Sequence, residues 1–126
     1  MTCRAAAVSP DQAAKTIVLH DHGTYLLALI PASERLDLHK LRDVLGASKS
    51  LQLATEPEIA THFVPFEVGA TPPVGVGIFA GEVIDKRLAG QPAIVCPGGD
   101  HRHAVRVDPR DVVRLANAAV ADICAD

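Results

Sequence analysis

The chain has 126 residues, 48% of them apolar and 21% charged, an ordinary globular balance that excludes a disordered tail or a fibrous repeat. Aromatic residues make up only 3%, with three Phe, one Tyr and no Trp, so the core is expected to be aliphatic and a platform stacking many bases is excluded. Twelve Lys and Arg against fifteen Asp and Glu leave a formal charge of −3, so no global basic field holds a long nucleic acid, and such a substrate must be gripped locally.

Thr16 to His20 is rich in strand formers, His22-Gly23 is a turn signal, and Tyr25 to Ile30 is a second apolar run closed by Pro31. Together they predict an antiparallel hairpin. From Asp37 the period changes. Leu38, Leu41, Val44 and Leu45 fall at helical spacing, with Asp37 as the cap and Gly46 as the stop. Ser50 to Leu53 reads as a short strand. Thr55 and Glu58 form a capping-box pattern, with Pro57 in the first turn and Ile59, Ala60 and Phe63 on one face.

Val68 to Gly75 holds two prolines and two glycines in eight residues, which forbids a helix or a central strand and predicts a shaped loop. Short strands are expected at Val76 to Phe79, Pro92 to Val95 and Ala104 to Val107. In the last element Asp108 caps and Pro109 takes the first helical position. Val112, Leu115, Ala116, Ala119, Val120 and Ile123 then form one apolar stripe. Strands lie between helices without regular alternation. The expected fold is therefore α/β of the α+β kind: a single domain over residues 1–126, with a mixed, mostly antiparallel sheet or partial barrel surrounded by helices.

The apolar stretches are too short to span a bilayer and no signal peptide opens the chain, so the cytoplasm is the expected compartment and no membrane partner is expected. Cys3, Cys96 and Cys124 are odd in number and widely spaced, and read as small buried or inert thiols.

Three segments can carry chemistry. Lys15, just before the first strand and without an adjacent acid, suits a point-charge contact to phosphate or carboxylate, although a solvated lysine has the same spacing. The loop Gly69-Ala70-Thr71-Pro72-Pro73-Val74-Gly75 is stiff and offers backbone amides to an oxyanion or a water, or else serves as a crossover. In Pro97-Gly98-Gly99-Asp100-His101-Arg102-His103 the glycines permit close backbone approach and His101 offers a hydrogen bond or proton transfer, or else the segment is a plain hairpin turn. The His-x-His pairs at 20–22 and 101–103 give a weak zinc signal. There is no Gly-x-Ser-x-Gly elbow, and no Gly-Lys-Ser/Thr follows the central loop.

In this order and spacing, Lys15 entering Thr16 to His20, the Gly69 to Gly75 loop, and Gly98-Gly99-Asp100-His101 before Asp108-Pro109-Arg110-Asp111 resemble the YbaK/EbsC family. Its members are related to the editing insertion domain of bacterial prolyl-tRNA synthetase. The segments Leu26 to Pro31, Asp37-Leu38, Leu45-Gly46 and Leu53 to Ile59 agree, so the resemblance covers roughly residues 13 to 122. It implies a trans-editing deacylase that hydrolyses the ester of mischarged tRNA, most often alanine or cysteine on proline tRNA. No cofactor is implied. The implied partners are the aminoacyl-tRNA 3′ end and prolyl-tRNA synthetase.

By position, Lys15 matches the family's essential lysine, which holds the substrate's 3′ end. Gly69, Pro73 and Gly75 match its Gly-x-x-x-Pro-x-Gly loop, with Thr71 inside it. Gly98, Gly99 and His101 match the far wall of the pocket. Relatives usually carry a further strand and helix before the lysine, where this chain has fourteen residues, so a shorter N-terminus is expected. In one branch a histidine stands at the position of Pro97 or Gly98, and this chain has none there. The alternative is a non-catalytic relative that binds a tRNA end, a nucleotide or a protein partner. Lys40, Arg42, Lys49, Arg102 and Arg106 are the candidate cations for the acceptor stem, and spacing does not select among them.

Overall fold

Alternating apolar side chains from Ala14 onward build the first strand, and the His22-Gly23 turn folds the second back upon it. In the computed structural model, which describes residues 12–55, 57, 81–97 and 104–126, these are β1 (Ala14–Asp21) and β2 (Thr24–Pro31). They pair antiparallel from Ala14–Pro31 to Asp21–Thr24, as expected. Both turn residues have positive φ, 48° at His22 and 82° at Gly23. That geometry matches the twist of the flanking strands, and glycine adopts it without a Cβ clash.

Helix α1 (Leu38–Leu45) begins where Asp37 accepts a hydrogen bond from the Lys40 amide at 3.1 Å and ends at Gly46, whose φ is 63°. Of its apolar residues only Leu41 is fully buried, and Val44 and Leu45 are exposed. Strand β3 (Gln52–Leu53) lies inside the expected Ser50 to Leu53 segment and pairs with Leu19 and His20 of β1. Apart from Thr55 and Pro57, the capping-box helix lies outside the described residues, as do the Val68 to Gly75 loop and the Val76 to Phe79 strand.

Two elements were not anticipated, β4 (Gly81–Asp85) and α2 (Lys86–Ala89). Strand β4 runs parallel to β2, from Leu26–Gly81 to Leu29–Ile84. Charged Glu82 and Asp85 hide its apolar pattern, yet both are buried. Asp85 is fully buried and fully employed. One carboxylate oxygen caps α2 by accepting from the Arg87 amide, and the other accepts from the Ile123 amide, each at 3.0 Å. Asp85→Ala is expected to orphan both amides and to cost about 3 kcal/mol in urea unfolding. Asp85→Asn keeps one acceptor oxygen and should lose less. Equal stability of wild type and Asp85→Ala would refute this.

Strand β5 (Ile94–Pro97) starts two residues later than expected, while β6 (Ala104–Val107) falls where expected, and the two pair antiparallel. A parallel bridge from Ala13 to Val95 joins this small sheet to the start of β1. Helix α3 (Pro109–Ala116) has Asp108 as its cap and Pro109 in its first turn. The expectation of one apolar stripe reaching Ile123 is incorrect. Asn117, with φ of 51°, ends the helix, and Ala119–Ala121 form β7, parallel to β4. Leu115 and Val120 are exposed, whereas Ile123 is buried. Asn tolerates the left-handed conformation that closes a helix, and the pairing with β4 then gives the following backbone its hydrogen bonds.

The main sheet has the order β3-β1-β2-β4-β7. It is mixed and open rather than closed into a barrel. Alternation sends Lys15, Ile17 and Leu19 to one face, where Leu19, Ala28, Ile30 and Val83 pack with Leu41, Leu51 and Ile123. The other face buries Ala14, Leu29 and Ile84 against Leu88, Ile94, Cys96 and Val112. Both clusters are aliphatic, and each fully buried Leu or Ile contributes about 1.5–3 kcal/mol. Cys96 and Cys124 are both buried. Burial, reinforced by the Asp85 carboxylate, pushes the Cys124 thiol up to about 12, which leaves it unreactive. No helix among the described residues is long and apolar enough to cross a membrane.

Candidate functional site

Lys15 stands second in β1, opposite Ile30, on the face that α1 covers. Ile30 is fully buried and Lys15 is partly buried, as expected of a lysine whose stem lies on apolar surface. Lys15 lines a groove of about 470 Å³ together with Ile17, Arg35, Leu36, Leu38 and Leu53. That volume falls within the range of small-ligand sites, about 300–1,000 Å³. No carboxylate among the described residues pairs with Lys15 or with Arg35. Two uncompensated cations thus border an aliphatic surface, an arrangement that suits a ligand with an anionic group beside an apolar face.

The strand carrying Lys15 is held on both sides. Strand β2 pairs with it along its whole length, and the Val95 amide donates to the Gln12 carbonyl at 2.9 Å. From the Ala13–Val95 bridge β5 runs in the same direction as β1, so its C-terminal end lies on Lys15's side of that bridge. The other residues singled out in the sequence, Gly69, Thr71, Pro73, Gly75, Gly98, Gly99 and His101, lie outside the described residues.

Of the cations expected to meet an acceptor stem, two are engaged in the fold. Lys40 donates to the Cys124 carbonyl at 2.8 Å and forms ion pairs with Asp122 and Asp126, and the Asp126 contact holds its amine above the ordinary lysine range. Arg42 donates to the carbonyls of Leu51 and Lys49. Arg106 is exposed on β6, and Arg102 lies outside the described residues. His22 sits exposed in the hairpin turn, 3.6 Å from Asp21, so it does not share a strand face with His20. Among the described residues no group of three His, Cys, Asp or Glu could hold a metal ion.

Sequence reasoning missed two residues. Arg35 belongs to an irregular segment between Pro31 and Asp37, where no periodicity marks a side chain's direction. Glu82 is buried beside Leu27, and its Oε2 has no hydrogen-bond partner among the described residues. Burial pushes this carboxyl up to about 8. The only signal in the sequence was an acid set between Gly81 and the aliphatic pair Val83-Ile84.

Solved structures share this architecture. The chain is 29% identical to a protein described as a candidate trans-editing enzyme for prolyl tRNA synthetase, with a TM-score of 0.86 over 98% of this chain and 76% of that one. A scaffold from work on computational epitope backbone grafting matches at 29% identity and a TM-score of 0.86, over 97% and 79% of the two chains. A protein described only as hypothetical matches at 25% identity and a TM-score of 0.84, over 97% and 80%. The family model described as the aminoacyl-tRNA editing domain matches residues 2–115, a span that takes in the Lys15 strand, the central Gly/Pro loop and most of α3. With the fold shared by those structures and that match running through nearly the whole chain, this protein belongs to the aminoacyl-tRNA editing domain family.

Proposed function

We propose that the protein is a trans-editing deacylase that hydrolyses the ester of mischarged tRNA, with alanine or cysteine on proline tRNA as its substrates. In this reading residues 1–126 act as one editing domain working in the cytoplasm alongside prolyl-tRNA synthetase. The observation that carries it is the family match over residues 2–115, with Lys15 lining an open groove in the same span and no carboxylate pairing with it among the described residues. The neighbour described as a trans-editing enzyme for prolyl tRNA synthetase supports the choice of tRNA.

An aminoacyl ester is already activated, so no nucleophilic side chain is required. Lys15 holds the substrate's 3′ end by charge. The amides of the Gly69 to Gly75 loop, with Thr71 and Pro73 shaping it, steady the carbonyl oxygen as water attacks. Gly98, Gly99 and His101 form the opposite wall. Electron density from the water oxygen forms the new C–O bond, the ribose oxygen leaves, and the proton passes from water to that oxygen. Selectivity then rests on pocket size, a sieve that admits alanine and excludes proline.

The test is amino-acid release from alanyl-, cysteinyl- and prolyl-tRNA(Pro) by purified protein. Release of alanine or cysteine with prolyl-tRNA spared is the expected result. Binding of these tRNAs with no release from any of them would overturn the hydrolase reading and leave a binding module.

A further inference from the structure

Arg35 is the second cation of the groove, and its backbone is held in place from outside its own segment. The Ala125 amide donates to the Arg35 carbonyl at 2.7 Å, and the Asp37 amide donates to the Ile123 carbonyl at 2.8 Å. Between them Leu36 bridges Cys124 in antiparallel fashion. On the other side the Glu34 amide closes a turn onto the Pro31 carbonyl at 3.0 Å. The wall bearing Arg35 is therefore preformed, while the guanidinium itself is exposed and has no carboxylate partner among the described residues. Its neighbours Glu34 and Asp37 are occupied, the first by Arg87 at 3.2 Å and the second by the Lys40 amide.

The groove floor is equally specific in its chemistry. Ile17, Leu36 and Leu38 are only partly buried, and Leu53 is 53% exposed. A groove lined by two cations and by aliphatic side chains fits neither a free inorganic anion nor a purely apolar ligand. It fits a nucleotide, whose phosphate meets the cations and whose flat base covers the leucines.

We propose that Arg35 is a substrate-binding residue that pairs with a phosphodiester of the tRNA's 3′-terminal nucleotides, while Leu36, Leu38 and Leu53 receive the adjoining base. The inference rests on the editing reading for the identity of the RNA. It does not rest on hydrolysis. It also gives a chain with net charge −3 a local grip on RNA that needs no basic surface.

The test uses the full chain and an uncharged, fluorescently labelled RNA carrying the last few tRNA nucleotides, with binding followed by anisotropy at several salt concentrations. Arg35→Ala is expected to weaken binding about tenfold and to lower the slope of log affinity against log salt by about 0.7, the value of one single-strand phosphate contact. Arg35→Lys should recover part of the affinity, and Arg114→Ala on α3, away from the groove, should change nothing. Thermal melts confirm that each variant is folded. If Arg35→Ala binds with unchanged affinity and slope, or wild type does not bind the RNA, the inference fails. It fails too if adenosine 5′-monophosphate binds as tightly as the RNA, since the groove is then a mononucleotide site. Arg35-dependent binding in a protein that releases no amino acid would refute the deacylase reading alone. Deacylation with a KM indifferent to Arg35→Ala would refute this inference alone.

Discussion

Lys15→Ala is expected to lower the rate of alanine release from mischarged proline tRNA by roughly a hundredfold, the equivalent of about 3 kcal/mol for a lost charge-assisted contact. The size of the effect follows from the absence of a carboxylate partner for Lys15 among the described residues. An amine already paired within the fold would have to give up that partner before holding a substrate. This one does not, so most of its interaction with an anion is gained on binding. The same feature predicts that the substitution is tolerated structurally, because no buried charge is left alone. Single-turnover release assays with wild type, Lys15→Ala and Lys15→Arg, alongside thermal melts, separate the two effects. Full activity in a folded Lys15→Ala protein would remove the lysine from the mechanism.

The second large effect concerns Glu82 and pH. The residue is 7% exposed, lacks a partner at its buried Oε2 among the described residues and sits beside Leu27, itself packed with Val18. Burial raises it from 4.5 to about 8. Between those two values the native protein holds a proton that the unfolded chain has released. Stability is therefore highest near and below pH 4.5 as far as this group is concerned, and falls as pH rises toward 8, by a few kcal/mol in all. Above that range the penalty is constant. Glu82→Gln should abolish the dependence, and Glu82→Leu should stabilise the protein most at pH 8. Urea midpoints at pH 5, 6.5 and 8 check this. Parallel losses in wild type and Glu82→Gln would show that another group is responsible.

Much of this was legible in the sequence where local chemistry decides the outcome. The His22-Gly23 turn, the Asp37 and Asp108 caps and the Gly46 stop all rest on contacts within a few residues, and each stands where expected. The failures are cases where distant parts of the chain decide. Strand β4 carries two acids that read as surface, yet Asp85 is buried because the Ile123 amide, thirty-eight residues away, needs its oxygen. The final stripe read as helix because Ala119 and Val120 fit a helical period. Asn117 and the open edge of β4 convert them to a strand. Among the groove residues, Lys15 was singled out through the family resemblance, since its place at the start of a strand suits a solvated lysine equally well. Arg35 was not, because only the pairing of residues 35–37 with 123–125 fixes that segment beside the groove.

That pairing also makes one wall of the groove depend on a distant part of the chain. The β1–β2 hairpin, which carries Lys15, closes over two residues, and local pairings of that kind generally form within about 1–10 μs. The wall bearing Arg35 takes its long-range backbone partners from residues 123–125, just beyond β7, which pairs with β4. Pairing across such a separation carries a larger loop-closure cost than the hairpin turn does. During synthesis, a chain that has emerged as far as α3 would hold one cation of the groove in position and leave the other unanchored.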